Sequence, residues 1–300
     1  MPSTHGWYSQ QGGFLMRINH NIPSMITQGS LYQVNRDMSK SLEKLSTGLR
    51  INRASDDAAG LGVSENLRTQ VNGTAQASKN AQDGIAAITI AEGAANEVSS
   101  VLQRMRELAV QSSNDTLTST ERSYTESEFQ SLSNEIDRIA SATNYNRQEL
   151  LSTNATRFGN GAAGSVLWVD ANNTVGVDSI TITIDTLTTT ALQLSTAGAS
   201  TTHLTSQLSS VTAISNLDVA INSVNTMRSD MGAYINRLEH AINNLAISNT
   251  NQQSAESLIR DVDFATETSQ FTRNQILTQS ATAMLAQANT LPQSVLSLLK

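Results

Sequence analysis

An apolar stripe with a 3.5-residue period runs through the closing residues, and it constrains the fold of this chain more than any other feature. Steps of four and three connect its members: Leu277, Ala281, Met284, Ala288, Leu291, Val295 and Leu298. A 3.5-residue period sustained over heptads is typical of a helix that packs along a partner helix. We therefore predict a long C-terminal helix whose apolar face is covered by another helix.

A matching stripe near the start of the sequence supplies a candidate partner. Its members again follow steps of three and four, at Leu31, Val34, Met38, Leu42, Leu45 and Leu49. This spacing places them on one helix face. Shorter seams with the same spacing predict inner helices around 98–105, 129–139 and 217–245. An arrangement in which the N- and C-terminal helices pack side by side explains both terminal stripes.

Capping patterns predict where several helices begin. Ser55-Asp56-Asp57 reads as an N-cap followed by two carboxylates in the first turn, where they favour the helix dipole. Thr118–Glu121 has the form of a capping box, and Ser215–Asp218 has the same form with Asp replacing Glu. Residues 114–118 are predicted to separate two helices.

The middle of the chain, residues 154–212, loses the helical period. Residues 165–169 and 180–184 alternate as strands do, and the turn-rich segment 170–176 separates them. The predicted fold is therefore mainly α, with long antiparallel helices or a coiled coil from both chain ends and a small β-hairpin insert.

Composition narrows the classes of function. The net charge is −7, aromatic residues make up 4% of the chain, and cysteine is absent. An acidic chain is not held on nucleic acid or anionic lipid by bulk charge, and one without cysteine has no disulfides or thiolate nucleophiles. No apolar run approaches the length of a membrane span, and the opening residues lack the pattern of a secretory signal.

Motifs that carry chemistry elsewhere are weak here. Gly159–Gly164 spells G-x-G-x-x-G, but a strand follows it instead of preceding it, which favours an ordinary loop. Asp261-Val262-Asp263 lacks the further ligands of a calcium loop and is interpreted as helix-start or solvated charge. The histidines are scattered without metal-ligand spacing, at His5, His20, His203 and His240. We predict no catalytic, cofactor or metal site.

Long segments at both ends resemble bacterial flagellins. On the N-terminal side these are residues 16–22 (MRINHNI), 45–60 (LSTGLRINRASDDAAG) and 102–111 (LQRMRELAVQ). On the C-terminal side they are 257–267 (SLIRDVDFATE), 283–289 (AMLAQAN) and 295–299 (VLSLL). The matches occur in the right order and cover roughly 16–153 and 215–300.

The resemblance implies a structural subunit that is exported through the growing flagellum and polymerises into the extracellular filament. It implies that 16–58 with 261–300 form a coiled-coil inner tube and that 59–153 with 215–260 form a helical outer layer. Residues 154–214 are then a small β-rich insert. Residues 1–15 precede the usual flagellin start and are predicted to be an extra segment.

The resemblance also assigns residues and partners. The predicted polymerisation seam comprises Leu31, Val34, Met38, Leu42, Leu45, Leu277, Met284, Leu291, Val295 and Leu298. The implied partners are further copies of the chain, an export chaperone at 261–300, and hook-associated junction and cap proteins. A third assignment is contact with the animal innate receptor TLR5 through Arg104, Leu108 and Glu128.

Two other functions stay open on the sequence. A hook–filament junction protein shares the terminal helical plan but adds a single layer instead of polymerising. An enzyme carried in the filament is the second alternative, although the insert has only His203 and no H-E-x-x-H motif.

Overall fold

The computed structural model describes residues 20–153, 158–159, 164–172, 174, 177–196, 199–200 and 202–298. Within them lie five α-helices: α1 (Ile22–Thr47), α2 (Ala58–Ser112), α3 (Ser119–Ala142), α4 (Gln207–Arg260) and α5 (Phe264–Leu298). The prediction of a mainly α fold with a small β insert is confirmed. None of the helices in this part of the chain combines the length and apolarity that crossing a membrane requires.

The chain divides into two compact units. The first, called the terminal unit below, combines residues up to 65 with those from 256 onward, and the second, the inner unit, spans 66–255. The predicted extra segment 1–15 lies outside the described residues.

In the terminal unit, α1 packs antiparallel against α5. At one end the Asn21 side-chain amide donates to the carbonyl of Ala288 over 2.9 Å. At the other end, Lys44 Nζ lies 3.6 Å from Glu267 Oε2. The predicted pairing of N- and C-terminal helices is confirmed.

The N-cap of helix α2 lies two residues later than predicted. Asp57, not Ser55, is the residue whose carboxylate accepts the amide of Gly60, over 2.8 Å. Asp56 instead turns back and accepts the amides of Asn52 and Arg53. These backbone hydrogen bonds, led by the one from Arg53, lower the pKa of Asp56. The prediction for this start is wrong because three adjacent polar residues all have cap chemistry, and the preceding loop decides which one caps.

The inner unit has one apolar core shared by α2, α3 and α4. Its fully buried members include Leu102, Met105 and Leu108 of α2, Phe129 and Ile136 of α3, and Leu217 and Val224 of α4. Arg106 binds Asp218, and Arg228 binds Glu92, at the edges of this core. The predicted inner seams are therefore confirmed as core.

Two capping predictions in the inner unit have opposite outcomes. Thr118 and Glu121 form the reciprocal capping box at the start of α3. The box predicted at Ser215–Asp218 is wrong, because α4 already begins at Gln207 and those residues lie inside it. Asp218 is occupied by the ion pair with Arg106 instead.

The described residues form three two-stranded antiparallel sheets. The first, β1 (Asn144–Tyr145) with β2 (Gln148–Glu149), precedes the insert. The other two lie within the insert and pair β3 (Ser165–Trp168) with β4 (Ser179–Ile182), and β5 (Ser195–Thr196) with β6 (Ala199–Ser200). The predicted hairpin is the β3–β4 pair, with Ser165 opposite Ile182 and Trp168 opposite Ser179. It rests on α2, where Asn80 donates to the Trp168 carbonyl. Gly84 leaves the space that the Leu167 side chain occupies.

Candidate interaction surface

Helix α1 turns most of its predicted seam toward α5. Leu31, Val34, Met38 and Leu45 are all half-buried. The best-covered residue on this face is Ser41, which is 3% exposed, whereas Leu42 is 57% exposed and points away. The intramolecular face of α1 is therefore narrower and more polar than the stripe predicted from sequence.

Helix α5 turns a different face toward α1 than the predicted stripe. The covered positions follow steps of three and four through Phe271, Asn274, Thr278, Ala281, Leu285 and Ala288. They share only Ala281 and Ala288 with the prediction. Leu277 and Met284 are 44% and 62% exposed. Leu291, Val295 and Leu298 belong to α5, but their side chains lie outside the described part of the structure.

Both terminal helices consequently carry apolar side chains on faces that the partner helix leaves open. On α1 these are Ile22, Met25, Ile26 and Tyr32, each at least half exposed. They recur at helical spacing on the side opposite the seam. On α5, Phe264, Ile276 and Leu277 line a shallow groove together with Thr268 and Thr272. Such contiguous apolar surface marks an interaction site.

Charge contributes little to these faces. The ion pair between Arg53 and Glu43 is largely exposed, and the pair between Lys44 and Glu267 lies at one end of the helix pair. Exposed ion pairs are each worth about 0–1 kcal/mol. The open faces therefore offer mainly apolar contact along a helix, which suits another helix, and Arg273 adds a cation to the α5 groove.

A second surface lies on the inner unit around Arg104. Its guanidinium binds Glu128 of α3 over 2.8 Å and Glu107 of its own helix over 3.0 Å. The hydrogen bonds that Arg104 donates to Glu128 first, and then to Glu107, raise the pKa of Arg104. Arg104 and Glu128 thus form one solvent-facing pair. Leu108 does not share that face, because it is 1% exposed and belongs to the core.

The motifs judged weak from sequence have ordinary structural roles. Asp263 accepts the amides of Ala265 and Thr266 and caps α5. The pKa of Asp263 is lowered first by a hydrogen bond from the Thr266 hydroxyl and then by those from the two amides. His203 contacts the Glu126 carboxylate over 2.9 Å. Gly159 and Gly164 both have positive φ, while residues 160–163 between them and His5 lie outside the described residues.

Sequence reasoning missed two residues of the terminal unit. Ser41 and Asn274 are polar yet only 3% exposed, and they occupy the centre of the α1–α5 contact. The Nδ2 of Asn274 has no hydrogen-bond partner. A search for apolar periodicity passes over both residues. The sequence signal that could have identified Ser41 and Asn274 is their spacing from neighbouring apolar residues, which places each on the covered face of its helix.

Comparisons with known proteins cover nearly the whole chain. The family of bacterial flagellin N-terminal helical regions matches residues 18–156, and that of bacterial flagellin C-terminal helical regions matches 214–299. The chain is 46% identical to a flagellin of Halalkalibacterium halodurans and 44% identical to flagellin FlaB2 of Treponema pallidum. It is 45% identical to the flagellar filament 33 kDa core protein of Treponema phagedenis. Each alignment covers 95% of this chain and 100% of the relative.

Proposed function

Because the chain belongs to the bacterial flagellin family, we propose that each terminal helix uses one face to hold its own chain together and another to contact neighbouring subunits. The protein is a structural, non-enzymatic subunit of the extracellular flagellar filament and polymerises with copies of itself. The proposal concerns which residues make that contact.

Two faces of helix α5 differ in their side chains, and this difference supports the proposal. The face covered by α1 contains Phe271 and Leu285 but also the polar Asn274, whereas Leu277 and Met284 are exposed outside it. A single chain leaves Leu277 and Met284 in water. Burying an exposed Leu or Met contributes about 1.5–3 kcal/mol, and a filament repeats the contact at every subunit.

The predicted polymerisation seam therefore serves two purposes. Leu31, Val34, Met38 and Leu45 hold α1 on α5, whereas Leu42, Leu277 and Met284 contact adjacent subunits. By the spacing of the sequence repeat, Leu291, Val295 and Leu298 are assigned to the same contact. In this scheme 16–58 with 261–300 make the inner tube, 59–153 with 215–260 make the outer layer, and 154–214 decorate it.

The test is to place a charge on the outward stripe. Met284→Asp and Leu298→Asp should give chains that keep the inner helices by circular dichroism but form no filaments by electron microscopy. Gln275→Asp, an exposed polar position on the same helix, adds the same charge and should still assemble. Normal filaments from both stripe variants would refute this division of surfaces.

Before assembly, the same apolar stripe needs protection. We propose that an export chaperone covers it within 261–300, and that junction and cap proteins contact the terminal helices at the ends of the filament. Met284→Asp should then weaken chaperone capture together with assembly, and Gln275→Asp should weaken neither. Titration of the purified chain with its chaperone measures this directly.

The Arg104 surface is proposed as the contact for the innate receptor TLR5. Arg104 offers a planar set of donors, and arginine is common among interface hot spots. Arg104→Ala should weaken receptor binding by about 1–2 kcal/mol. Arg138→Ala is the matched control, because Arg138 is an exposed arginine paired with Glu135. A receptor-reporter assay in which both variants match the parent chain would leave Arg104 and Glu128 as structural residues.

Leu108 enters this proposal differently from Arg104. Since Leu108 is buried, Leu108→Ala should change receptor signalling only through loss of fold. Comparing signalling with unfolding of the same variant separates the two effects.

A further inference from the structure

The two helix breaks of the terminal unit meet at one place. Between α1 and α2 the chain runs through Gly48 to Asp57, and between α4 and α5 it runs through 261–263. The Arg50 amide donates to the Arg260 carbonyl over 2.7 Å, and the Val262 amide donates to the Gly48 carbonyl over 3.0 Å. Leu49 and Asp261 form an antiparallel β-bridge between these two bonds. This short ladder is called the clasp below.

The Arg50 side chain closes the clasp. Its Nε and Nη2 both donate to the Ile259 carbonyl, over 3.2 Å and 2.6 Å. That carbonyl belongs to the last turn of α4, where helix carbonyls have no partner within the helix. The guanidinium therefore ties the start of one loop to the end of a helix more than two hundred residues away in sequence.

The α1–α5 contact keeps the register that the clasp sets. Lys44 lies five residues before Leu49, and its partner Glu267 lies six residues after Asp261. Asn21 lies 28 residues before Leu49, and Ala288 lies 27 residues after Asp261. Two antiparallel helices with equal rise per residue preserve an alignment fixed at one end. The offset of the clasp thus persists along the whole contact.

The helix contact itself specifies this register weakly. Its central positions are filled by Ser41, Asn274 and Ala281, and the Asn274 amide gains no hydrogen bond that would favour one alignment. At the far end Asn21 donates to a backbone carbonyl, and a carbonyl recurs in every register. Ser24 Oγ also donates to Asn289 Oδ1 over 2.9 Å, but this bond is solvent-exposed. A shift by one heptad would still place an alanine, Ala281, where Ala288 lies, although it would put Thr278 in the place of Leu285.

We propose that the clasp is the register pin of the terminal coiled coil and that Arg50 is its positioning residue. The strand bridge and the Arg50 guanidinium choose the alignment, and the helices extend it. The inference does not depend on which outer faces contact neighbouring subunits. It concerns how one chain aligns its own two ends.

The chain has no cysteine, so introduced cysteine pairs report register without background. Asn21→Cys with Ala288→Cys tests the observed alignment, and Asn21→Cys with Ala281→Cys tests a slip of one heptad. Each pair is oxidised in the soluble chain and in filaments, then separated under non-reducing conditions. Bonds within a chain give a fast-migrating monomer, and bonds between chains give a dimer.

In the parent background we expect the bond within the chain at 21–288 and little at 21–281. Arg50→Ala should lower the 21–288 yield at least threefold and raise the 21–281 yield. Arg53→Ala is the control, since Arg53 lies in the same loop but pairs with Glu43 within the N-terminal segment; it should leave both yields unchanged. Unchanged yields for Arg50→Ala would overturn the proposal.

A second variant guards against misfolding of Arg50→Ala. Gly48 has φ +74°, and an added Cβ would meet only Phe264 Cζ at 3.9 Å. Gly48→Ala therefore strains the backbone of the clasp without a clash, and its yields should shift in the same direction. A bridged pair without direct hydrogen bonds has close Cα atoms that suit a disulfide. Leu49→Cys with Asp261→Cys should therefore cross-link in the parent chain, and failure to do so would also reject the clasp.

Discussion

The terminal and inner units are both helical, but different contacts stabilise them. The inner unit packs Leu102, Met105 and Phe129 into a core from which water is excluded. The terminal unit places Ser41 and Asn274 at the best-covered positions of its α1–α5 contact and leaves much of its apolar surface open. Apolar burial supplies most of the stability of a fold. We therefore expect the inner unit to be the more stable of the two in a single chain, and the terminal unit to gain more from contacts with further copies.

The contrast also separates two meanings of an apolar repeat. In the inner unit, seams at 129–139 and 217–245 are core of the same chain. In α5, the most regular repeat of the sequence is divided: Leu277 and Met284 are exposed, whereas Ala281 and Ala288 lie on the face covered by α1. Periodicity identifies a face that will be buried, and it does not say whether the covering helix belongs to the same molecule.

The largest expected difference between the units comes from matched leucine truncations. Leu108→Ala removes a fully buried side chain and should cost the inner unit about 3–5 kcal/mol, as cavity-forming changes do. Leu31→Ala, at a half-buried position of α1, should cost about 1 kcal/mol in the soluble chain. Urea unfolding followed by circular dichroism compares them. Equal losses of stability in the two variants would show that the two units do not differ in apolar packing.

A change in the opposite direction tests the polar seam. Asn274→Leu replaces a buried amide that has no partner for its Nδ2, and such groups cost about 1–3 kcal/mol. The variant should slow proteolysis of the terminal helices in the soluble chain severalfold. Gln275→Leu, one position away and exposed, should not. Faster cleavage of Asn274→Leu would show that the seam needs the amide.

The inner unit also carries one pH-dependent contact. Burial raises the pKa of Glu126, but hydrogen bonds from His203, the Leu204 amide and Gln130 outweigh it and leave the pKa below its ordinary value. Because the pKa of Glu126 is lower in the folded state, its ionised carboxylate stabilises the fold at pH values above the ordinary Glu pKa of about 4.3. That stability is lost as pH falls through the lower folded pKa.

Glu126→Gln should therefore cost about 1–2 kcal/mol at pH 7 and progressively less as the solution becomes acidic. Glu135→Gln is the control, since its pair with Arg138 is exposed and its loss should change stability little at either pH. Urea midpoints measured at pH 7 and at pH 3 give the comparison. A pH-independent cost for Glu126→Gln would contradict the assignment.

The smallest expected effect is one that the two units should share. Thr118 caps α3 and Asp263 caps α5, each through side-chain oxygens that accept amides of the first turn. Replacing either with Ala should cost about 1 kcal/mol. If thermal unfolding shows similar losses of stability for the two variants, then the two units differ in packing and not in helix capping. A much larger loss at Asp263 would mean that the terminal helices depend on their local ends.

The sequence by itself determined the features that neighbouring residues fix. The 3.6-residue and two-residue periods located the helices and the β3–β4 hairpin, whose strands begin and end within two residues of the prediction. The capping box at Thr118 was readable because its two members lie three residues apart. The family, and with it the filament role, followed from long ordered motifs at both ends.

The tertiary structure decided everything that depends on a distant partner. It extended α4 back to Gln207 and buried Leu108 in the core of the inner unit. It also turned the Asn274 face of α5, and not the Met284 face, toward α1. A helix has several faces of similar apolarity, and the energy that selects one is summed over contacts with residues far away in sequence. Local sequence spacing therefore does not predict which face of the helix is buried.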